Sequence, residues 1–470
     1  MLTDLTATDL SRRIHSGDLA PSELMAATLA RIAQVNGAVN AIVSLRDADA
    51  LMTEARAADS APRKGWLHGI PFAVKDMVPT AGLRTTFGSP LFADYVPPAD
   101  ALLAARLRAA GAIFIGKTNV PEWAQGSHSF NPVFGVTRNP YDLSRTAGGS
   151  SGGAGAALAT RMVAVADGSD MMGSLRNPAA YCNTYGFRPT VGLVPRDAEG
   201  DTYLSNMSTD GPMARTVEDL ARLLQVMAGP NPEVPYDRPN EPFADRLHID
   251  LKGRRIGWLG NWGGAYPVED GILDLCRAGL GVLESLGAVV EEVPPPFPAG
   301  KLWHSWTTLR AMLNAGSRGS LASDPAKRAL TKPETLWEIE RGAGLSAQAV
   351  YEASVIRSQW HKQAARMFAR FDAVVMPSAQ VWPFPVEWRW PESVAGQKMD
   401  TYHRWMEIML PPSLIGLPTL SVPVGFGPQG LPMGMQIIGP QGADARVLAI
   451  GQQYHAATDW PARVPPQVRE

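Results

Sequence analysis

Alternation between short apolar runs and helical segments begins near residue 70 and constrains the fold of this chain more than any other feature. Residues 70–74 form an uncharged apolar run that is typical of a buried strand. Residues 101–110 are rich in alanine and leucine and end at Gly111, which indicates a helix, and residues 112–115 form a second apolar run. Strands that alternate with helices in this way predict an α/β fold.

The same signals predict helices and strands on both sides of this region. The N-terminal segment, about residues 1–60, is predicted to be helical, with Pro21 at a helix start and a short apolar run between helices. Thr216 and Asp219 have the spacing of a capping box, which predicts a helix over residues 216–228. Two more helices are predicted at residues 154–159 and 347–371, and the second of these is expected to be the longest of the chain. Further strands are predicted at residues 162–166, 373–376, 420–424 and 433–438, and the last two are expected to close the sheet.

Irregular stretches rich in proline, asparagine or tryptophan interrupt this pattern at residues 229–248, 293–300 and 377–400. The pattern of strands and helices resumes after each stretch without a change in composition. We therefore interpret them as surface excursions rather than linkers, and we predict that residues 1–470 form a single domain.

The composition argues against several classes of function. The 470 residues include 43 basic and 45 acidic side chains, so no excess charge favours nucleic acid or an anionic membrane surface. Two cysteines are too few for a disulfide framework or a cysteine metal site. The chain has neither a signal-peptide pattern nor an apolar run of about 18 residues. We expect a cytoplasmic protein that binds no nucleic acid and no membrane.

Three polar residues stand in an order that predicts a hydrolase. Lys75 directly follows the apolar run, and Ser150 and Ser174 lie downstream in glycine-rich settings. At the end of a buried strand, desolvation disfavours the ammonium form of a lysine and lowers its pKa. Because a neutral amine accepts a proton, the trio indicates a serine hydrolase that uses Lys75 as its base.

Seven short segments together form a highly specific pattern. They are residues 69–76 (GIPFAVKD), 116–122 (GKTNVPE), 137–140 (TRNP), 148–153 (GGSSGG), 211–216 (GPMART), 416–418 (GLP) and 431–434 (LPMG). In these segments the chain resembles the amidase-signature enzymes, and the spacing between Ser150 and Ser174 is the one that this family uses. Residues 230–370 match the family poorly.

The resemblance implies both a fold and a catalytic triad. The family fold is a single α/β domain in which helices cover both faces of a large twisted mixed β-sheet. The triad roles fall on Lys75 as the base, Ser150 as a serine in a cis peptide, and Ser174 as the nucleophile. In this assignment Ser174 attacks a carbonyl, its proton passes through Ser150 to Lys75, and the same relay protonates the leaving nitrogen.

The resemblance also implies an oxyanion hole made by backbone N–H groups. The candidates are Met171, Met172, Gly173 and Ser174. Most relatives have threonine or isoleucine and then glycine at the first two positions, so the two methionines are a departure. A positive φ at Met172 would be strained, whereas an ordinary φ would let its thioether narrow or line the substrate pocket.

Further family positions support the triad or the pocket. Asp170 and Arg176 are expected to brace the nucleophile loop, and Ser151 is expected to join the hydrogen-bond network beside Gly149. Ala124 matches a pocket-wall position of some relatives. With Met172, it is the predicted substrate-binding residue.

Three other interpretations compete with a stand-alone amidase. Residues 148–152 also fit the G-x-S-x-G elbow of α/β-hydrolases, but the polar residues 142–146 do not read as the required strand. The glutaminase component of a tRNA-dependent amidotransferase shares the triad; relatives that bind glutamine place an acidic residue near the position of Met406, and Glu407 is adjacent. A catalytically inactive scaffold is disfavoured because all three triad positions are intact.

The predicted substrate is a small or medium apolar amide or carbamate. Six tryptophans lie in irregular or poorly matched stretches, about residues 229–250, 300–345 and 377–405, where the family builds its substrate funnel. Most of these six tryptophans are expected to pack in the core or on the surface, but their location favours an apolar or aromatic substrate. They are Trp303, Trp306, Trp382, Trp388, Trp390 and Trp405. Anilides, cyclic or linear amino-acid oligomers and aryl carbamates are favoured, and esters are expected to be accepted. We expect no cofactor and no metal, a buried structural thiol at Cys182, and a monomer or homodimer.

Overall fold

The computed structural model describes residues 1–196 and 200–468, where helices and strands alternate along most of the chain. The α-helices are α1 (Ala7–Ser16), α2 (Pro21–Val39), α3 (Ala48–Ser60), α4 (Leu102–Ala109), α5 (Gly152–Ala159), α6 (Arg176–Tyr181), α7 (Val217–Met227), α8 (Ile272–Ser285), α9 (Ala299–Ser323), α10 (Pro325–Leu330), α11 (Pro333–Ala343), α12 (Ala347–Phe368), α13 (Leu410–Leu414), α14 (Asp444–Thr458) and α15 (Trp460–Arg463). Within the two described ranges, no helix combines the length and the apolar character that a membrane span requires.

The strands form one large mixed sheet and several small ones. They are β1 (Ile42–Val43), β2 (Pro71–Lys75), β3 (Ile113–Thr118), β4 (Phe130–Asn131), β5 (Gly135–Val136), β6 (Arg138–Asn139), β7 (Asp142–Thr146), β8 (Val165–Asp170), β9 (Tyr185–Arg188), β10 (Thr209–Ala214), β11 (Arg255–Trp258), β12 (Val289–Glu292), β13 (Ala373–Pro377), β14 (Ser393–Val394), β15 (Gln397–Lys398), β16 (Thr419–Phe426) and β17 (Pro432–Ile438). The large sheet has the order β12-β11-β13-β17-β16-β9-β10-β8, and a three-stranded sheet has the order β1-β3-β2. Strand β11 runs parallel to both of its neighbours, whereas the other pairs of the large sheet are antiparallel. The predicted α/β class with a large mixed sheet is confirmed.

Strands β16 and β17 occupy the middle of the large sheet, so the expectation that they close it is wrong. The apolar composition of β16 and β17 explains their central position, because a central strand is covered on both faces. Side chains at alternate positions of a strand point to opposite faces. On one face, Leu420 and Val424 pack against glycines of α14 and α8, and on the other face Gly434 packs against Ala180 of α6. Helices therefore cover both faces, as expected.

The N-terminal segment forms α1, α2 and α3, and Pro21 is the first residue of α2, both as predicted. Helix α7 begins after Thr216, whose side chain accepts a hydrogen bond from the Asp219 N–H. The predicted capping box is incomplete, because the Asp219 side chain does not accept the Thr216 N–H in return. The Asp219 carboxylate instead accepts the N–H groups of Ala7 and Thr8, each at 2.8 Å. A carboxylate on α7 thus caps the start of α1 and fixes the N-terminal helix to the body of the protein.

Helix α9 has 25 residues and is longer than α12, which has 22, so the prediction about the longest helix is wrong. The sequence of α9 contains three glycines and several serines and threonines, which have low intrinsic helix propensity. Packing compensates, because α9 lies against α11 and α12. Gly342 of α11 leaves no room for a side chain, since a Cβ there would lie 2.0 Å from the Ala311 carbonyl oxygen.

The strand predicted at residues 162–166 is shifted and appears as β8, the edge strand of the large sheet. The strand predicted at residues 70–74 appears as β2, but it belongs to the three-stranded sheet. The Lys75 N–H donates to Asp167 Oδ1 at 2.9 Å, which joins the end of β2 to β8. This junction between the two sheets positions the residues of the candidate site.

Candidate active site

Lys75 ends β2 and is fully buried, as the apolar run predicted. Its Nζ donates to the hydroxyls of Ser150, Ser151 and Ser169, each at 2.9 Å. Burial lowers the pKa of Lys75 to about 8, although the charges of Asp167 and Asp210 oppose this shift. The amine is therefore held by hydroxyl groups in a setting that favours its neutral form.

The glycine-rich segment brings Ser150 to this amine. Gly148 has φ +80°, and a Cβ there would lie 2.5 Å from Asn177 Oδ1, so the close approach requires glycine. The Gly149–Ser150 peptide bond is cis, as the resemblance implies. The Gly149 N–H donates to the same Asn177 oxygen at 3.2 Å, and the Ser151 N–H donates to the Ser174 carbonyl at 3.2 Å. These bonds join the two serine segments.

Asp170 holds the loop that carries Ser174. One of its carboxylate oxygens accepts the Gly173 N–H at 2.8 Å, and the other accepts the Leu175 N–H at 3.2 Å. Arg176 donates to both oxygens at 2.9 and 3.0 Å, and Arg188 lies 3.3 Å from the first. Burial opposes the charge of Asp170, but the two guanidinium groups outweigh it and hold its pKa well below the usual range. Asp170 thus remains ionised and fixes the loop on both sides of Ser174.

Arg176 connects this loop to the middle of the large sheet. Its guanidinium donates to Ser413 Oγ at 2.6 Å, to the Met409 carbonyl at 3.1 Å and to Gln436 Oε1 at 2.5 Å. Gln436 belongs to β17, one of the central strands. The supporting positions assigned by resemblance, Asp170 and Arg176, therefore form one buried ion pair anchored in the core.

The four predicted oxyanion donors differ in whether their N–H groups are already hydrogen-bonded. The Gly173 N–H already donates to Asp170, so including it among the free donors is wrong for this structure. The N–H groups of Met171, Met172 and Ser174 make no hydrogen bond to another described residue. Met172 has no positive φ, so it is not strained; it is buried, and its side chain lines the cavity described next.

Ser150 and Ser174 open into one cavity of about 520 Å³. Ser174 is the more accessible of the two, with 9% of its surface exposed against 1% for Ser150. Among the described residues, the Ser174 hydroxyl has no hydrogen-bond partner. Both predicted substrate-binding residues, Ala124 and Met172, line this cavity.

The walls of the cavity are partly apolar and partly cationic. The larger apolar side chains include Trp123, Met171, Met172, Trp306, Leu313 and Met406. Arg196, Arg310 and Arg318 also line it, and sequence reasoning missed all three. Arg310 and Arg318 lie on α9, in the region that matches the family poorly, so no motif marked them.

Most of the tryptophans singled out in the sequence lie outside this cavity, as expected. Of the six that were singled out, Trp306 alone lines it. Trp382 and Trp388 line a separate pocket with Phe384, and Trp405 is buried in the core. Trp123 was missed, although it stands next to Ala124 and follows the 116–122 motif directly. Residues 229–250 contribute nothing to the wall, whereas α9 contributes much of it.

A buried polar cluster supports the cationic wall. Arg310 donates to Glu338 Oε1 at 2.6 Å and to the Tyr402 hydroxyl at 2.9 Å, and its guanidinium lies 5.1 Å from the Trp306 ring centroid. Arg310 Nη1 also lies 3.0 Å from Met171 Sδ. The methionine of the nucleophile loop is thereby joined to α9.

The structure does not support the competing interpretation as an α/β-hydrolase. Residues 142–146 do form a strand, β7, so the objection to an α/β-hydrolase elbow is wrong. However, β7 lies outside the large sheet, where it pairs with β6 and forms an isolated bridge from Arg145 to Pro385. His403 lines the cavity, but its Nδ1 contacts Thr401 Oγ1 at 2.8 Å and its Nε2 lies 3.5 Å from Glu338. Within the described residues, Ser150 therefore has Lys75 and no histidine as its partner.

Two further predictions concern Glu407 and Cys182. Glu407 does not line the cavity; its Oε2 lies 3.0 Å from Arg404 Nε, while the adjacent Met406 faces the cavity.

Cys182 is fully buried, and burial raises the pKa of its thiol. Its interpretation as a buried structural thiol is confirmed.

The fold and the site define an α/β protein with a buried lysine that contacts Ser150, Ser151 and Ser169, and with Ser150 and Ser174 opening into one cavity. The chain belongs to the amidase-signature family, because the Amidase family model matches residues 23–448. It is 32% identical over 476 residues to an acylamidase of Rhodococcus erythropolis, covering 98% of this chain and 97% of that protein. It is 33% identical over 493 residues to the A component of the glutamyl-tRNA(Gln) amidotransferase of Pseudomonas syringae pv. tomato, covering 98% and 99%. The crystal structure of a bacterial aryl acylamidase of the same family superposes with a TM-score of 0.90 at 29% identity, covering 98% of this chain and 99% of that one.

Proposed function

We propose that this protein is a stand-alone amidase that hydrolyses small to medium amides, namely anilides and cyclic or linear amino-acid oligomers, and also aryl carbamates, through an acyl-enzyme on Ser174. One observation carries the proposal: a buried lysine contacts Ser150, and Ser150 opens with Ser174 into a single cavity. The likeness to an acylamidase and to an aryl acylamidase supports it.

In the first half of the proposed reaction, Ser174 Oγ attacks the amide carbonyl and forms the tetrahedral intermediate. Its proton passes to Ser150, and Ser150 passes its own to the neutral Lys75 amine. A pKa of about 8 leaves a useful fraction of Lys75 neutral near neutral pH. Proton return along the same path protonates the leaving nitrogen, which departs as an amine. Water then attacks the acyl-enzyme by the same route and releases the acid.

The tetrahedral oxyanion needs hydrogen-bond donors that are already in place. The N–H groups of Met171, Met172 and Ser174 are the proposed donors, since the Gly173 N–H is engaged by Asp170. The bonds from Asp170 to both sides of Ser174 keep this loop in one conformation, so little reorganisation accompanies the reaction.

A panel of four substrates tests the proposal. Wild type and the Ser174→Ala variant are incubated with glutamine, an anilide, a cyclic amide and an aryl carbamate, and products are followed by mass spectrometry. We expect wild type to cleave at least one of the last three and Ser174→Ala to cleave none. Ser144→Ala, which changes an exposed serine outside the cavity, is the control and is expected to match wild type. Equal activity of Ser174→Ala and wild type would refute the proposal.

The second candidate is a glutaminase that supplies ammonia within an amidotransferase complex. The identity to the A component of a glutamyl-tRNA(Gln) amidotransferase favours it. The pairing of Glu407 with Arg404 weighs against it, because this carboxylate is turned away from the cavity where glutamine would need an acidic partner. Turnover of glutamine alone in the same panel would select this candidate over the first.

A further inference from the structure

Arg318 is a cation of the cavity wall that has no carboxylate partner among the described residues. Its Nη1 donates to the neutral Asn314 side chain at 2.5 Å, and its guanidinium lies 5.8 Å from the Trp123 ring centroid. Asn314 is itself buried and held by Gln125, whose amide donates to Asn314 Oδ1 at 2.9 Å. Among the described residues, the direct contacts that keep Arg318 beside the cavity are therefore neutral, and none of them is an ion pair.

The other two arginines of the described wall are each paired with a carboxylate. Arg310 is bound to Glu338, and Arg196 lies 3.2 Å from Asp210. Asp201 also lines the cavity, and its carboxylate accepts the Leu204 N–H at 2.7 Å. Burial and the charge of Arg310 lower the pKa of Arg318 to about 10, so Arg318 still carries its charge at neutral pH. Arg318 is therefore the one arginine of the described wall that makes no ion pair with a described carboxylate.

We propose that Arg318 binds a carboxylate of the substrate, so that the preferred substrates are amides that carry a carboxylate in addition to the scissile bond. This inference rests on the proposed amidase function and names its substrate class. The apolar wall formed by Trp123, Trp306 and Met406 would hold the hydrocarbon part, while the guanidinium would pair with the acid. An uncharged anilide would leave Arg318 without this partner.

Two matched pairs of substrates test the proposal, one for each side of the scissile bond. The first pair is glutaryl para-nitroanilide and its analogue in which an isopropyl group replaces the carboxylate. The second pair is the butyryl amide of para-aminobenzoate and that of para-isopropylaniline. In each pair the two members have similar size and differ in charge. The measured quantity is the ratio of kcat/KM for the charged member to that for the neutral member.

We expect wild type to prefer the charged member of at least one pair by roughly 10- to 100-fold, the range of a hydrogen bond between charged groups. Arg318→Met should bring this ratio to about one, and Arg318→Lys should restore part of it. Arg318→Gln, which keeps a donor for Asn314, is the second uncharged variant in case Arg318→Met does not fold. Arg328→Met removes an arginine that pairs with Glu340 outside the cavity and should keep the wild-type ratio.

A ratio near one in both pairs, in a wild type that cleaves amides, would overturn the carboxylate assignment and leave the amidase function intact. So would a ratio that the uncharged Arg318 variants do not change. If wild type cleaves no amide, the proposed function fails. A binding measurement then tests separately whether Arg318 binds a carboxylate. Calorimetry on Ser174→Ala then compares the two members of the first pair. Equal dissociation constants would overturn the assignment, whereas tighter binding of the acid that is lost with Arg318→Gln would support it.

Discussion

The Nζ atom of Lys75 lies 2.9 Å from Ser150 Oγ, and among the described residues this amine has no carboxylate within ion-pair distance. Its three partners are hydroxyl groups, which accept a hydrogen bond from an ammonium ion and donate one to a neutral amine equally well. Burial removes the water that would otherwise stabilise the charge. The site thus lets Lys75 gain and lose a proton without breaking a salt bridge.

The rate of amide hydrolysis should follow the protonation state of Lys75. Burial lowers its pKa from the ordinary 10.5 to about 8, so the amine is protonated and unable to act as a base at lower pH. We expect kcat/KM for an anilide to rise about tenfold per pH unit below pH ~8 and to level off above it. A pH–rate profile measures this limb. A rise that levels off only near pH ~10.5, or a kcat/KM that does not change through pH ~8, would contradict the role of Lys75.

Replacing the lysine should affect amides more than activated esters. In Lys75→Ala the leaving nitrogen of an amide receives no proton, whereas a nitrophenolate leaves without one. We expect kcat/KM for an anilide to fall by roughly 10²- to 10⁴-fold, and that for the nitrophenyl ester of the same acid to fall much less. Both substrates are assayed on one preparation, so a folding defect would lower both rates together. Equal losses would count against the relay.

The Asp170 carboxylate is expected to contribute strongly to stability. Asp170→Asn leaves Arg176 and Arg188 buried without their counter-charge, and removing one partner of a buried ion pair costs about 3–5 kcal/mol. We expect a loss of this size in the free energy of unfolding, measured by urea denaturation, together with a lower kcat. Glu340→Gln breaks the exposed pair with Arg328 and should change stability by less than about 1 kcal/mol. Similar effects of the two substitutions would show that Asp170 does not hold the loop.

The methionine at position 172 should limit the size of the substrate. Its side chain is buried and lines the same cavity as Ser174. Met172→Ala should therefore raise kcat/KM for bulky anilides relative to acetanilide by about tenfold or less. Competition assays with a mixture of both substrates measure the ratio directly. An unchanged ratio would place this side chain outside the path of the substrate.

Local sequence patterns were sufficient where the chemistry depends on neighbours along the chain. Lys75 was located by the apolar residues before it, and Ser150 and Ser174 by their glycines. Gly148 shows the physical reason, because its φ and its contact with Asn177 permit no side chain. Such constraints leave a signature in the sequence that can be found without the fold.

Contacts between distant segments were not predictable in this way. Asp219 has the spacing of a capping residue for its own helix, yet its carboxylate caps α1, more than 200 residues away. Arg310 and Arg318 have no distinctive neighbours, and only the packing of α9 beside the nucleophile loop brings them to the cavity. The order of strands in the large sheet was equally hidden, because apolar composition predicts burial but not which strands are adjacent.

Trapping the acyl-enzyme is the most direct test of the central claim that Ser174 is the nucleophile. Wild type is mixed with a slowly deacylating nitrophenyl ester, quenched in acid and digested, and the peptides are analysed by mass spectrometry. The account predicts an added acyl group on the peptide that contains Ser174, and no such group in Ser174→Ala. An acyl group on Ser150, or one that persists in Ser174→Ala, would contradict it.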